Sequence, residues 1–164
     1  MSSDDRGDPA CWAHLTDAAT TNRLPDALGT AGWAELVDRL ADAVLVADRD
    51  GTITYWNAAA ERLFGWPSTD AVGANLDLII PERHRARHWD GYERTVASGV
   101  TRYGSKLLEV PALHRDGRAL SIAFTLTLLT DRDHGHVTRL VAVIRDDTTR
   151  WQERRELRRR ADPG

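Results

Sequence analysis

The sequence has little cysteine, little charge imbalance and no long apolar segment. Cys11 is the only cysteine among 164 residues, so neither an internal disulfide nor a metal site built from several thiolates can form. No apolar run approaches the ~18–20 residues that span a bilayer, and the polar, acidic start lacks the layout of a signal peptide. The net charge of −3 does not favour binding to nucleic acid or to a membrane surface. These absences predict a cytoplasmic protein that binds neither.

The ends of the chain differ in composition from its middle. Residues 1–30 are rich in Ala, Thr, Asp, Gly and Pro, which predicts a mobile leader. Apolar residues at helical spacing predict an amphipathic helix over residues 31–41. Residues 149–164 form an arginine-rich segment that predicts a second flanking helix. We therefore predict one domain over residues 31–148, which includes the first flanking helix, with the leader before it and a signalling helix after it.

The first half of the predicted domain has the pattern of a hairpin followed by helices. Residues 43–48 have the length and apolarity of a strand, residues 49–51 form a turn signal with glycine at its end, and residues 52–55 predict the return strand. Asn57 is a strong N-cap residue for the alanine-rich helix after it. Pro81 opens a longer helix that Gly99 closes.

The second half of the domain predicts three antiparallel strands. The first covers residues 103–114, and the last covers residues 137–145, which are apolar on both faces over much of their length. Between them, apolar residues alternate with small polar ones, which is typical of a strand with one face on a core or a ligand. The alternating residues are Leu120, Ile122, Phe124, Leu126 and Leu128. The order predicts an α+β fold, with helices on one face of a five-stranded antiparallel sheet.

Two stretches of this pattern resemble a known family. Residues 48–65, with the sequence DRDGTITYWNAAAERLFG, resemble closely the opening of PAS domains. Residues 145–148 resemble their closing Asp-x-Thr motif, although Asp147 stands where an aliphatic residue is usual. The resemblance covers about residues 40–150 and implies the PAS fold with N-terminal and C-terminal flanking helices. It does not fix a function, because one fold serves several functions.

A narrower resemblance concerns the long helix after Pro81. It is similar to the helix of the heme-binding oxygen-sensor PAS domains of the FixL type, which carries the histidine ligand of the iron. An alignment without a gap, from Pro81 to the turn at residues 115–117, places His88 at that ligand position. Arg94 and Arg102 fall on positions that neighbour the heme propionates. The resemblance therefore implies heme b as the cofactor, iron as the metal and His88 as its ligand.

The remaining candidate residues follow from what heme requires, namely a flat apolar slot, a neutral imidazole and cations for the propionates. Tyr92 shares the helical face of His88, and Tyr103 is a candidate hydroxyl donor on the opposite side. The lining candidates on the strands are Leu107 or Leu108, together with Phe124, Leu126 and Val143. The family's oxygen-binding arginine falls on Leu108, and Trp89 replaces a small polar residue beside the ligand. These departures weaken the case for oxygen as the bound gas more than the case for heme as the cofactor.

Several other interpretations stay open. His84 and His88 have the spacing of a divalent-metal chelate, without a convincing third ligand. His134-Gly-His136 is typical of a solvated turn. A covalent flavin photoreceptor is excluded because the helix that would carry the reactive cysteine has Asn75-Leu-Asp instead. No phosphate loop or nucleophile motif is present, which predicts a protein that is not an enzyme.

Two main functional hypotheses follow, with a third of less weight. The first is a heme sensor for a diatomic gas (O2, CO or NO) that signals through its flanking helices. The second is a cofactor-free PAS module for dimerisation, and the third is a weak peroxidase-like heme enzyme, which lacks a distal acid–base pair. A homodimer is expected through residues 31–41 and the outer sheet face, with a signalling output domain that is separate or missing. A terminal tail that binds nucleic acid or a membrane is the less favoured interpretation of the arginine-rich segment.

Overall fold

The computed structural model describes residues 29–101, 107–131 and 133–161. Backbone contacts divide the chain into one unit that ends at Trp33 and a second that begins at Ala34. Only residues 29–33 of the first unit are described, and they are helical. The second unit contains the sheet, its helices and the candidate site.

The described elements follow the predicted order of a hairpin, helices and three strands. They are α1 (Gly29–Asp38), β1 (Ala43–Ala47), β2 (Ile53–Trp56), α2 (Ala58–Phe64), α3 (Ser68–Ala71), a 3-10 helix (Leu76–Leu78), α4 (Glu82–Ser98), β3 (Leu108–Leu113), β4 (Ala119–Thr130), β5 (Val137–Asp146) and α5 (Thr148–Ala161). The helix predicted at residues 31–41 thus begins two residues earlier and ends three residues earlier. Among the helices of these described ranges, none is long and apolar enough to cross a membrane.

The five strands form one antiparallel sheet in the order β2-β1-β5-β4-β3, which confirms the predicted fold class. Side chains alternate between two faces, because successive residues of a strand point to opposite sides. The inner face packs against α2, α3 and α4 and carries the core. Its buried strand residues include Ala43, Leu45, Ala47, Leu120, Ile122, Leu140, Ala142 and Ile144.

The predicted turn and cap chemistry shapes the first half of the domain. Asp48 Oδ1 accepts hydrogen bonds from the backbone N–H groups of Asp50 and Thr52, and Gly51 has a φ of 79°. That backbone conformation favours glycine, because it has no Cβ to clash. Asn57 caps α2 by accepting a hydrogen bond from Ala60 N, and its side chain is fully buried.

The long helix α4 begins after Pro81 and ends at Gly99, which has the left-handed conformation of a helix C-cap. Tyr92 is its only buried residue. Arg85 holds the start of the helix, because its guanidinium donates to the backbone carbonyls of Ile80 and Asp77. This helix therefore lies over the inner face with one aromatic side chain directed into the core.

The terminal helix α5 is attached by polar contacts rather than by apolar packing. None of its residues is buried, and Trp151 and Leu157 are exposed. Its Arg154 forms ion pairs with Glu109 Oε1 of β3 at 2.9 Å and with Asp147 Oδ2 at 2.6 Å. Because Glu109 alternates with the inner-facing Val110, α5 lies on the outer side of the sheet edge formed by β3.

Candidate functional site

His88 lies on the side of α4 that carries the buried Tyr92. The imidazole is half-buried, and its Nδ1 atom is inaccessible to solvent without a hydrogen-bond partner among the described residues. Its ring centroid lies 5.0 Å from the ring of Trp89 and 5.7 Å from that of Tyr92. A buried imidazole nitrogen that lacks a partner is the feature expected of a ligand position, since such groups are otherwise hydrogen-bonded.

Burial lowers the pKa of His88 below its ordinary value, and the nearby carboxylate of Asp77 partly opposes this shift. A lowered pKa keeps the imidazole neutral at neutral pH, which is the form that ligates a metal. Burial likewise raises the pKa of Tyr92, so its hydroxyl stays protonated and can donate.

Tyr92 attaches α4 to the turn between β1 and β2, and Trp89 attaches it to the 3-10 helix. The hydroxyl of Tyr92 donates to the backbone carbonyl of Asp48, and the indole Nε1 of Trp89 donates to Asp77 Oδ1 at 2.9 Å. Trp89 entered the sequence analysis only as a departure from the family pattern, and Asp77 did not enter it as a site residue. The sequence signal that could have indicated the Trp89 contact is Gly51, because a glycine in a tight turn permits a side chain to approach the backbone closely.

The sheet supplies an apolar wall opposite this helix. Leu108 pairs with Phe124 across β3 and β4, and Leu126 lies two residues further along the same inner face. All three are half-buried, whereas Ile122 on the same row is 4% exposed. On β4 the inner face is thus less completely covered toward the β4–β5 hairpin, whereas Leu140 and Val137 of β5 are buried there.

Two lining candidates do not lie on this wall. Val143 pairs with Val44 of β1 and with Thr125 of β4, and all three belong to the outer face. Leu107 precedes the inner-facing Leu108 and is 52% exposed. The structure therefore corrects the prediction for Val143, because a shift of one residue along a strand moves a side chain to the opposite face. Of the alternatives Leu107 and Leu108, it is Leu108 that lies on the inner face.

The cationic candidates are only partly described. Arg94 is exposed on α4 and forms no ion pair with any residue in the ranges that the structure describes. Arg102 and Tyr103 lie outside the described residues. The other histidines considered above are also described. His84 is half-buried and its Nε2 accepts a hydrogen bond from Arg83, and the rings of His134 and His136 stack in an exposed turn.

The described residues can be examined for a metal site made of protein ligands alone. Across residues 29–101, 107–131 and 133–161, no group of three or more His, Cys, Asp or Glu side chains is arranged to hold a metal ion. A heme instead requires a single imidazole and an apolar surface, because the macrocycle supplies the other iron ligands, and the described residues offer one on α4 and the other on the sheet. The residues present therefore fit heme better than a bare metal ion.

The chain matches the family model described as PAS fold over residues 32–146. It is 34% identical over 127 residues to an uncharacterized protein of Azorhizobium caulinodans, which covers 77% of this chain and 17% of that protein. It is 42% identical over 57 residues to the sensor protein FixL of Bradyrhizobium diazoefficiens, covering 35% and 11%. It is 26% identical over 123 residues to the oxygen sensor protein DosP of Escherichia coli, covering 75% and 15%. The chain thus spans less than a fifth of the length of these relatives.

Solved structures agree with the family model. A PAS domain of a protein from Colwellia psychrerythraea superposes with a TM-score of 0.61 at 26% identity, covering 71% of this chain and 95% of that one. An RNA-binding light-oxygen-voltage receptor superposes with a TM-score of 0.68 at 23% identity, covering 89% and 41%, and this likeness concerns the fold alone. The chain therefore belongs to the PAS family and contains a PAS sensor domain.

Proposed function

We propose that this domain holds a heme b between α4 and the inner face of the sheet, with His88 as the iron ligand, and senses a diatomic gas. The observation that carries the proposal is the imidazole of His88, which is neutral, half-buried and has an unpartnered buried nitrogen. The bound iron would supply the open coordination position for O2, CO or NO. Two similar proteins are sensors, and one of them is named as an oxygen sensor.

The other residues of the site have distinct roles in this proposal. Phe124 and Leu126 offer an accessible apolar surface for the flat face of the macrocycle, and Leu108 extends it. The exposed guanidinium of Arg94 is available to a propionate, since charge-assisted hydrogen bonds to carboxylates are strong. The indole of Trp89 excludes water from one side of the His88 ring.

A second candidate function is a cofactor-free PAS module that dimerises. The anchoring of α4 favours it, because Tyr92 and Trp89 tie this helix to the rest of the domain through hydrogen bonds between protein groups. The outer sheet face also carries Val141 and Val143, which are only half-buried and could pack against a second copy.

The visible absorption spectrum separates the two candidates. The protein is purified, reconstituted with hemin and passed through a desalting column, and a Soret band near ~400 nm is then expected. His88→Ala is expected to lose most of this band and to regain part of it with added imidazole. His84→Ala is the matched control, because His84 is half-buried one turn earlier on the same helix, and it should retain the heme.

Three outcomes would count against heme ligation by His88. A parent protein that retains no heme would leave the cofactor-free module as the supported function. Equal heme content in His88→Ala and the parent would exclude His88 as the ligand. Heme loss in both histidine variants would indicate a general disturbance of α4 rather than loss of a ligand.

A further inference from the structure

Trp89 contacts the preceding residue, His88, and two segments that lie before α4 in the sequence. Its indole Nε1 donates to Asp77 Oδ1 in the 3-10 helix at 2.9 Å. The ring meets His88 on α4 edge-on, with an interplanar angle of 82°. Its far end lies against Gly51 in the turn between β1 and β2. One side chain therefore joins α4 to both segments beneath it.

The contact with Gly51 leaves no room for any other residue at that position. A Cβ built on Gly51 would lie 2.2 Å and 2.5 Å from two carbon atoms of the Trp89 ring. Carbon atoms in contact are normally about 3.5–4.0 Å apart. Glycine is thus favoured at this turn for its backbone conformation and also because the indole occupies the space of a side chain.

The orientation of the His88 ring depends on packing. A histidine that ligates a metal is ordinarily oriented by a hydrogen bond from its second ring nitrogen to a carboxylate or carbonyl. Neither ring nitrogen of His88 has a hydrogen-bond partner in the described part of the chain, so whichever nitrogen ligates, the other is not oriented in this way. The rings of Trp89 and Tyr92, 5.3 Å apart, instead contact the imidazole from two directions.

We infer that Trp89 is a positioning residue for His88, which fixes the orientation of the imidazole by packing and fastens α4 to the Gly51 turn. Its value to function rests on the proposed heme ligation, but the packing itself needs no cofactor. The chain therefore uses an aromatic contact where other histidine ligands use a hydrogen bond. Gly51, 38 positions earlier in the sequence, contributes to the position of His88 because it leaves space for the indole of Trp89.

The heme-free protein provides the first test, by nuclear magnetic resonance. Nuclear Overhauser effects between the ring protons of His88 and Tyr92 report the imidazole orientation, and Tyr92 is unchanged in every variant. Gly51→Ala should displace the indole and weaken or abolish these effects. Gly73→Ala is the matched control, because Gly73 has a φ of 90° but open space around its Cβ position. It carries a similar backbone cost without the clash, and its effects should match the parent's.

Substitutions of Trp89 itself provide a second test that does not depend on the turn. Trp89→Phe keeps an aromatic ring against His88 and should preserve most of the His88–Tyr92 effects. Trp89→Leu removes the ring and should lose them. If Gly51→Ala does not fold, these two variants decide the question. Unchanged effects in Trp89→Leu would overturn the inference.

Reconstitution with hemin then separates this inference from the proposed function. If the parent binds heme, Gly51→Ala should show a shifted or weakened Soret band, whereas Gly73→Ala should match the parent. If no protein binds heme but the resonance results are as expected, the proposed function fails and the packing role of Trp89 stands. If His88 keeps its orientation in Gly51→Ala and Trp89→Leu, the packing role fails whatever the spectrum shows.

Discussion

Replacing Asn57 with alanine tests how the first half of the domain is held together. Its Oδ1 accepts hydrogen bonds from the backbone N–H groups of Val44 and Ala60, both at 2.9 Å. Its Nδ2 donates to the backbone carbonyls of Val37 at 3.0 Å and Asp42 at 3.1 Å. The side chain therefore joins β1, the start of α2, α1 and the segment between α1 and β1, and alanine removes all four bonds.

The expected loss of stability can be worked from these contacts. Loss of an N-cap costs about 1 kcal/mol, and the buried Val44 N–H that is left unpaired costs about 1–3 kcal/mol. The two bonds to carbonyls are less buried and add about 1 kcal/mol together. The sum of about 3–5 kcal/mol is a large share of the roughly 5–15 kcal/mol that stabilises a domain, and it lowers Tm by about 10–15 °C.

Urea unfolding followed by circular dichroism measures this loss. Asn75→Ala is the matched control, since Asn75 also caps a helix but accepts only one backbone N–H, from Asp77, at an exposed position. Its cost should be about 1 kcal/mol or less. Asn57→Asp should also destabilise, because it keeps both acceptor bonds but loses both donors and buries a charge. A loss in Asn57→Ala no larger than that in Asn75→Ala would refute the reasoning.

Three further predictions concern the attachment of α5, the apolar wall at Leu108 and the oligomeric state. Arg154→Ala should raise the rate of hydrogen exchange in α5, whereas Arg155→Ala should not. The hydrogen bond from Arg154 holds the pKa of Glu109 below its usual range, so the attachment of α5 should persist at neutral pH and weaken as the pH falls through that lowered pKa. Exchange rates equal in the two variants would contradict this role. In heme-loaded protein, Leu108→Arg should slow dioxygen dissociation in stopped-flow measurements, since a charged donor adds ~1.5–3 kcal/mol, and change carbon monoxide affinity little; an unchanged oxygen rate would show that this side chain does not reach the gas. Deleting residues 1–41 should change the oligomeric state or cause aggregation in light scattering, because we expect the helix in residues 31–41 to cover the partly apolar outer sheet face. A truncated protein that stays soluble with an unchanged oligomeric state would rule out this covering role.

Local chemistry carried much of the prediction. The Arg-Asp-Gly turn at residues 49–51 and the cap at Asn57 depend on residues within four positions of each other, so the sequence suffices to predict them. The inner face of β4 followed from the alternation of large apolar with small polar residues. Together with the motifs that resemble PAS domains, these features predicted the five-stranded sheet.

Features that depend on tertiary contacts were beyond the sequence. Residues 140–144 are apolar at every position, so alternation could not say which of Val143 and Ile144 faces inward; the pairing of Ile144 with Phe124 settles it. The contact between Trp89 and Gly51 joins residues 38 positions apart, and no periodicity reveals it. The expected homodimer, the gas and the domain limits stay predictions.

The composition of α5 constrains how two copies of this domain can meet. The helix carries six arginines and two glutamates, and its charged side chains are largely exposed. Two such helices placed side by side in a symmetric dimer would repel each other within the ~8–10 Å over which salt leaves charges unscreened. A symmetric dimer through the outer sheet face is therefore expected to hold the two α5 helices apart. If the two helices are close, acidic groups from elsewhere must lie between them.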